Sequence, residues 1–401
     1  MPARADKPFW DIHKRQIRYD RALEALAASR ISDVNRQLIL SFVRHKKIAG
    51  DIGIARQTKY LHYLRILGEL LGKSFDEASA EDLEDLLEKA YSRPVRRGET
   101  VKEASAWTKR DIAMLLKTFY KWLKKKDNPE EVSWIRLVRV GHPVLGPDTL
   151  ISWEDVEKMA GVSYNVRDEA FLRSLMESGC RIGELLSLRI GDLEQRGKAV
   201  VIRLRHSKTQ LRKILLVRSA GYLLRWRNSH PHREDPEYPL WIDLQKHRQL
   251  RYSAAAYILK RLARRAGLRK NVHPHLFRKS SATYYSRFLS PSELKARYGW
   301  KQSSRMLDIY LHIDDEEVNR RILQIEGVEE AEKPREKLKS CFNCGTLNPS
   351  AAENCCLCNE VLDEERYFRQ KQVMEAIDNL IQEKAGGYEK LFKEIKPEPT
   401  Q

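Results

Sequence analysis

Long apolar runs are missing from this sequence. Stretches such as Ile214-Leu215-Leu216-Val217 end in arginine after four residues, where a membrane-crossing helix needs about 20. Met1 to Trp10 has no apolar segment of the kind a secretory signal carries. A membrane protein and a secreted one are therefore excluded as readings, and a soluble, cytoplasmic protein is expected. Cysteine is scarce outside one place. Of six, five lie between positions 341 and 358, and Cys180 stands apart. A disulfide framework would spread them more widely. Acidic residues are scarce in one region. Positions 201–300 hold 23 Lys and Arg against 5 Asp and Glu, so this window carries the whole formal excess of +18. Solubility does not require such clustering. A polyanion partner, usually nucleic acid, does.

With 42% hydrophobic residues, the chain can build real cores and is not a disordered polymer. Its 401 residues suggest two to three domains. Residues 1–145 read as all helical. Leu61, Leu64, Leu67 and Leu71 fall on one stripe. Ser79-Ala80-Glu81-Asp82 is a capping signature ahead of Leu83, Leu86 and Leu87. Trp107 to Lys126 repeats the pattern with Ile112, Leu115, Leu116, Phe119 and Leu123. Its opposite face carries Lys109, Arg110, Lys117, Lys121 and Lys124-Lys125-Lys126, which is either a solvated surface or a contact to a nucleic-acid backbone. Gly141 to Pro147 is rich in breakers and reads as a linker.

Ser152 caps a new helix, and residues 168–189 form another, broken at Ser178-Gly179. Residues 199–205 and 212–218 are β-branched and apolar around a polar turn, which predicts a hairpin. Helical patterns return at 253–266 and 277–289. Glu326 to Lys339 is highly charged and reads as a second linker, followed by the cysteine-rich stretch and an amphipathic helix with Val373, Ile377, Leu380 and Ile381 on one side.

Four segments carry the chemistry. They are Ser178-Gly179-Cys180-Arg181-Ile182-Gly183-Glu184-Leu185, Lys208 in the turn of the expected hairpin, His275-Leu276-Phe277-Arg278, and Trp300 followed by Tyr310-Leu311-His312. Each alone is weak. Their order and spacing inside a basic domain together resemble the tyrosine recombinase, or phage integrase, family over about residues 150–325. Lys279 stands where many of that family have a second His, Trp300 replaces a more frequent His, and the spacing from Trp300 to Tyr310 is one residue longer than in many bacterial members.

Two guanidiniums can hold both non-bridging oxygens of a phosphoryl transition state without deprotonating, and Arg181 and Arg278 suit that role. A phenolic oxygen, Tyr310, can attack phosphorus and form a covalent 3′-phosphotyrosine. By the family's pattern Lys208 protonates the 5′-oxygen leaving group. His275, with a pKa near neutrality, suits acid–base help to the tyrosine, and Trp300 packs the site with one N–H donor. Glu184 orients Arg181 or forms a plain helix salt bridge. Tyr284, Tyr285 and Tyr298 adjoin the wrong motifs to be the nucleophile. The resemblance implies no nucleotide cofactor and no catalytic metal.

Cys341-x₂-Cys344-x₁₀-Cys355-x₂-Cys358 has the spacing of a four-cysteine zinc ribbon holding one structural zinc ion, with Gly345 suited to the tight turn and Cys356 left over. An integrase-like domain with such a ribbon is similar to archaeal members of the family.

The expected architecture is mainly α with a small β-hairpin in an α+β catalytic domain. The expected divisions are a helical DNA-binding domain at 1–145, a catalytic domain at 150–326, a zinc ribbon at 340–362 and a helical tail at 363–401. The last two are expected to form a detachable module. The resemblance implies a site-specific recombinase acting as four protomers on two double-stranded DNA recombination sites, with the N-terminal domain gripping one face of the duplex and the catalytic domain the other. A type IB topoisomerase-like enzyme and a non-catalytic DNA-binding regulator are the rival readings.

Overall fold

The structure, a computed structural model, describes residues 11–394 apart from 51, 94, 98–99, 142–145, 206–210, 302, 305–321 and 324–337. The chain forms two compact units, Met1–Val144 and Leu145–Gln401.

The first unit is built from α1 (Arg15–Ala27), α2 (Asp33–Ile48), α3 (Ile54–Leu71), α4 (Ala80–Ser92), α5 (Ala106–Lys124) and the short α6 (Glu130–Ser133). The leucine stripes face inward: Leu61, Leu64, Leu67, Leu83, Leu86 and Leu87 are buried with Ile112, Leu115, Leu116 and Phe119. Ser79 and Asp82 exchange the two hydrogen bonds of a capping box at the start of α4. One element departs from the all-helical expectation, an antiparallel hairpin of β1 (Val95–Arg97) and β2 (Thr100–Lys102). Three-residue strands are too short to show a two-residue period.

The basic face of α5 is turned mostly to internal use. Lys117 donates from Nζ to the carbonyls of Val132 and Ile135, at 3.0 and 2.9 Å. Arg110 donates to the carbonyl of Val138, Lys124 bonds the carbonyl of Asp76, and Lys121 pairs with Asp127. Lys117 and Arg110 tie the segment after α5 back onto it, satisfying carbonyls that regular structure leaves open.

The second unit centres on α8 (Val166–Ser178), whose residues from Arg167 onward are nearly all buried. Around it stand α7 (Trp153–Gly161), α9 (Ile182–Leu186), α10 (Ala220–Asn228), α11 (Tyr252–Arg265), α12 (Pro274–Tyr285) and α13 (Pro291–Tyr298). The expected hairpin is present as β4 (Ala199–Leu204) and β5 (Arg212–Leu216). It belongs to a three-stranded antiparallel sheet with β3 (Leu193–Arg196), in the order β3-β4-β5. Val200 pairs with Leu216 and Ile202 with Ile214, and all four are buried. The polar pattern Leu-Glu-Gln-Arg hid β3 from the sequence reading, because only Leu193 of its four residues is buried.

Two buried carboxylates of α8 are paired. Asp168 meets Arg167 and Arg261. The Glu177 carboxylate accepts backbone N–H bonds from Val217, Arg218 and Ser219 at 2.7, 3.0 and 2.8 Å. A carboxylate there satisfies the N–H groups leading into α10 and complements its dipole.

The cysteine-rich segment carries β6 (Lys339–Ser340) and β7 (Leu347–Asn348), and it is seated on this unit, unlike the detachable module expected from the charged linker. A Cβ placed on Gly221 of α10 would stand 2.4 Å from Cys356 Sγ and 2.5 Å from Thr346 Cγ2. Lys198 Nζ also lies 2.9 Å from Ser340 Oγ. The leftover Cys356 is thus a buried contact. Helix α14 (Glu364–Glu394) starts from this segment, with Tyr367 stacked on Phe342 at 5.3 Å. Its stripe of Val373, Ile377, Leu380 and Ile381 is exposed.

Candidate active site

The site grows from the end of α8. The chain must reverse between α8 and α9, and Gly179 does so with φ +53°, in the left-handed region that favours glycine. Its lack of a side chain matters as much. A Cβ there would lie 2.4 Å from Tyr298 Cε1 and 2.5 Å from Ser281 Oγ. The reversal delivers Arg181 to the N-cap of α9. There its backbone N–H donates to Glu184 Oε2 at 2.8 Å and its Nη1 to Glu184 Oε1 at 2.9 Å. The Arg181 side chain is 33% exposed.

Arg278 comes from the second turn of α12 and is 3% exposed. Its Nη1 donates to the Gly179 carbonyl at 2.9 Å and its Nη2 to the Tyr298 carbonyl at 2.7 Å. One guanidinium therefore fixes the ends of α8 and α13 around itself. Burial, and then the charge of Arg181, lower its pKa to about 10, which leaves it cationic at neutral pH. Two like charges held near one another, one of them buried, mark a place built to receive an anion.

His275 opens onto the same place from the first turn of α12, behind the N-terminal Pro274. Its side chain is exposed, but desolvation by the protein around it, then the charges of Lys279, Arg278, His273 and Arg181, hold its pKa below the ordinary histidine value. It is neutral at pH 7 and able to accept a proton. Trp300 is buried, stacks on Tyr298 with ring centroids 5.0 Å apart, and lies 5.7 Å from the Arg278 guanidinium. Tyr298 is fully buried and its hydroxyl is 2.8 Å from Ser281 Oγ, a packing role that agrees with its rejection as nucleophile.

Arg181, His275, Arg278 and Trp300 are thus brought together from α9, α12 and the end of α13. Lys208 and Tyr310 lie outside the described residues. Sequence reasoning missed Arg212, which also binds Glu184. An arginine in a strand carries no motif of its own. Its signal was position, close behind the Lys208 turn at the start of β5.

The four cysteines of the spaced pairs form a second site. Their sulfurs lie within 4.8 Å of one another. Cys341 and Cys358 are 3.6 Å apart, as are Cys344 and Cys355. A tetrahedral ion with metal–sulfur bonds of about 2.3 Å spaces its sulfurs about 3.8 Å apart. The set fits a metal ion. The two pairs are built alike. Gly345 (φ +70°) returns its N–H to the Cys341 carbonyl, and Asn359 (φ +63°) returns its own to the Cys355 carbonyl, both at 2.9 Å. The role of Asn359 was missed, although asparagine tolerates the left-handed region better than most residues.

Residues 151–317 match the phage integrase family. Among curated proteins, a tyrosine recombinase of Thermosipho africanus is 26% identical over 257 residues, 62% of this chain and 84% of that one. Tyrosine recombinase XerA of Pyrococcus horikoshii is 22% identical over 257 residues, 63% of this chain and 80% of its own length. Among solved structures, the Tn1549 transposon integrase in complex with circular intermediate DNA aligns over 71% of this chain and 98% of its own, with a TM-score of 0.54 at 16% identity. A lambda integrase dimer bound to a COC′ core site aligns over 74% and 79%, with a TM-score of 0.53 at 15% identity. At such identities the structures speak for the fold alone. The helical unit with its small sheet has the fold of these recombinases. Over residues 151–317 the chain matches the phage integrase family, and its curated relatives are tyrosine recombinases.

Proposed function

We propose that this tyrosine recombinase cleaves and rejoins double-stranded DNA at a specific site, with Tyr310 as nucleophile and Arg181 and Arg278 as the phosphate clamp. The observation that supports the reading most is the Arg278 guanidinium, buried between the Gly179 and Tyr298 carbonyls beside the partly exposed Arg181. In this mechanism Tyr310 Oη bonds to phosphorus and passes its proton to neutral His275. The bond from phosphorus to the 5′-oxygen breaks, and Lys208 protonates that oxygen. The Arg pair stabilises the charge gathered on the non-bridging oxygens. Trp300 holds the Arg278 side of the pocket. The 3′-phosphotyrosine keeps the energy of the original bond, so attack by a 5′-hydroxyl reseals DNA without a nucleotide, and the clamp takes the part a catalytic metal would play.

The recombination site is the expected partner, engaged by residues 1–145 together with the catalytic domain at 150–326. Four protomers on two duplexes, in the cytoplasm, are the expected working assembly. Cys341, Cys344, Cys355 and Cys358 would hold one zinc ion in a ribbon at 340–362, where the metal supplies folding energy that so small a core cannot. Residues 363–401 are the expected tail.

The test is covalent capture. The full chain is incubated with genomic fragments and with a library of randomised nicked duplexes, and adducts that survive denaturation are sequenced. One enriched site is expected for the wild type and none for Tyr310→Phe. An adduct persisting in Tyr310→Phe overturns the nucleophile, and no adduct on any duplex overturns the activity. Joining of two duplexes separates a recombinase from a topoisomerase.

A further inference from the structure

Arg212 lies in β5, four residues after Lys208, and its side chain is 6% exposed. Its Nη2 donates to Glu184 Oε2 at 2.8 Å and its Nη1 reaches Glu184 Oε1 at 3.3 Å. Its Nε donates to the Arg297 carbonyl at 2.9 Å. The Glu184 side chain, 3% exposed, meets Arg181 at the same time. Each carboxylate oxygen therefore receives one bond from each arginine: Oε1 from Arg181 Nη1 and Arg212 Nη1, Oε2 from the Arg181 backbone and Arg212 Nη2. One buried anion is shared by a partly exposed arginine and a buried one.

The sharing has a chemical consequence. A buried carboxylate with too few donors draws its remaining partner inward or takes up a proton. Burial pushes the Glu184 carboxyl up. The hydrogen bond and charge of Arg212, ahead of the contacts from Arg181, bring it net below its ordinary value. Arg212 is thus the larger partner, and Arg181 is left with donors to spend outward. The bond to the Arg297 carbonyl adds a second link. Consecutive carbonyls at the C-terminus of α13 are held by two guanidiniums, Arg297 O by Arg212 and Tyr298 O by Arg278, where the helix dipole favours cations.

We propose that Arg212 is a positioning residue for the reaction: through Glu184 it keeps the Arg181 guanidinium turned toward the scissile phosphate, and through the Arg297 carbonyl it fixes the strand behind Lys208 to the end of α13. The proposal rests on the recombinase reading above. It concerns a residue that touches no reacting atom, so its test must separate positioning from folding.

Two measurements do so, on the full-length wild type and on Arg212→Lys, Arg212→Met, Glu184→Gln and Arg212→Met/Glu184→Gln. The first is single-turnover cleavage at saturating protein on the duplex found by covalent capture, with duplex affinity measured alongside. Arg212→Met is expected to lose about 10- to 100-fold in cleavage, with affinity within about threefold because many other phosphate contacts remain. Arg212→Lys should recover part of the loss. Because both residues act on one guanidinium, the double variant should be no worse than the weaker single variant, within about threefold.

The second measurement needs no DNA: the rate of phenylglyoxal labelling of Arg181, read by mass spectrometry. It should fall in Arg212→Met, where Glu184 holds Arg181 alone, and return in the double variant. Wild-type cleavage by a folded Arg212→Met, losses that multiply in the double variant, or unchanged Arg181 labelling would each overturn the proposal. If Arg212→Met fails to fold, the same comparison is made with Arg212→Lys and its Glu184→Gln double. A wild type that never cleaves would defeat the recombinase reading, while the labelling result still decides the relay.

Discussion

Gly179 and Tyr298 approach so closely that a Cβ on the glycine would fall 2.4 Å from the tyrosine ring. The contact joins the end of α8 to the end of α13, and the Arg278 guanidinium bridges the carbonyls of the same two residues. The geometry of the proposed phosphate clamp thus rests on a missing side chain. Gly179→Ala adds both a strained φ of +53° and a collision with backbone-anchored neighbours. It is expected to cost about 2–4 kcal/mol, seen as a lowered denaturant midpoint, together with loss of covalent adduct. An unchanged midpoint would mean that the α8–α13 contact is looser than described.

Arg278→Lys keeps a charge but cannot span two carbonyls with a planar fork. Cleavage should fall about 10²-fold, with duplex affinity changed far less. Equal losses in cleavage and affinity would make Arg278 a plain phosphate anchor.

The pH profile follows from His275. Its neutral form is the proposed proton acceptor and its pKa is depressed, so the acid limb of cleavage should lie below the ordinary histidine range, where the imidazole becomes charged. Lys279 is the largest of the depressing charges. Lys279→Gln should therefore raise the His275 pKa and move the acid limb upward. Rates measured from pH 5 to 8 on both proteins check this, and a limb that stays put removes His275 from the base role.

Lys117 separates two readings of the α5 surface. With its ammonium on the Val132 and Ile135 carbonyls, Lys117→Met should cost about 1–3 kcal/mol of stability. The slope of log affinity against log salt should not change. A slope smaller by about one would make Lys117 a phosphate contact instead.

The cysteine site makes a paired prediction. Metal analysis should find one zinc per chain, and a strong chelator should lower the melting temperature. Gly221→Ala would press on Cys356 and Thr346, so it should release the ribbon to proteolysis near residue 340 while the metal stays bound. Cleavage of the tail at the same rate in wild type and variant would show that Gly221 does not carry the docking.

Much of this was legible in the chain itself. The leucine stripes of α3 and α4, the capping residues Ser79 and Ser152, and the cysteine spacing follow from local periodicity and local geometry, which are properties of neighbours in sequence. The family pattern through Arg181, His275, Arg278 and Trp300 was legible for the same reason, as short motifs in a fixed order. What only the tertiary structure decided are pairings between distant segments. Lys117 looked like a surface cation until residues 132 and 135 folded onto it, and Cys356 looked spare until Gly221 met it. Arg212 had no motif until Glu184, 28 residues earlier, closed on it. A buried ion pair is selected by the desolvation it relieves, and desolvation is a property of the packed chain, which no window of sequence contains.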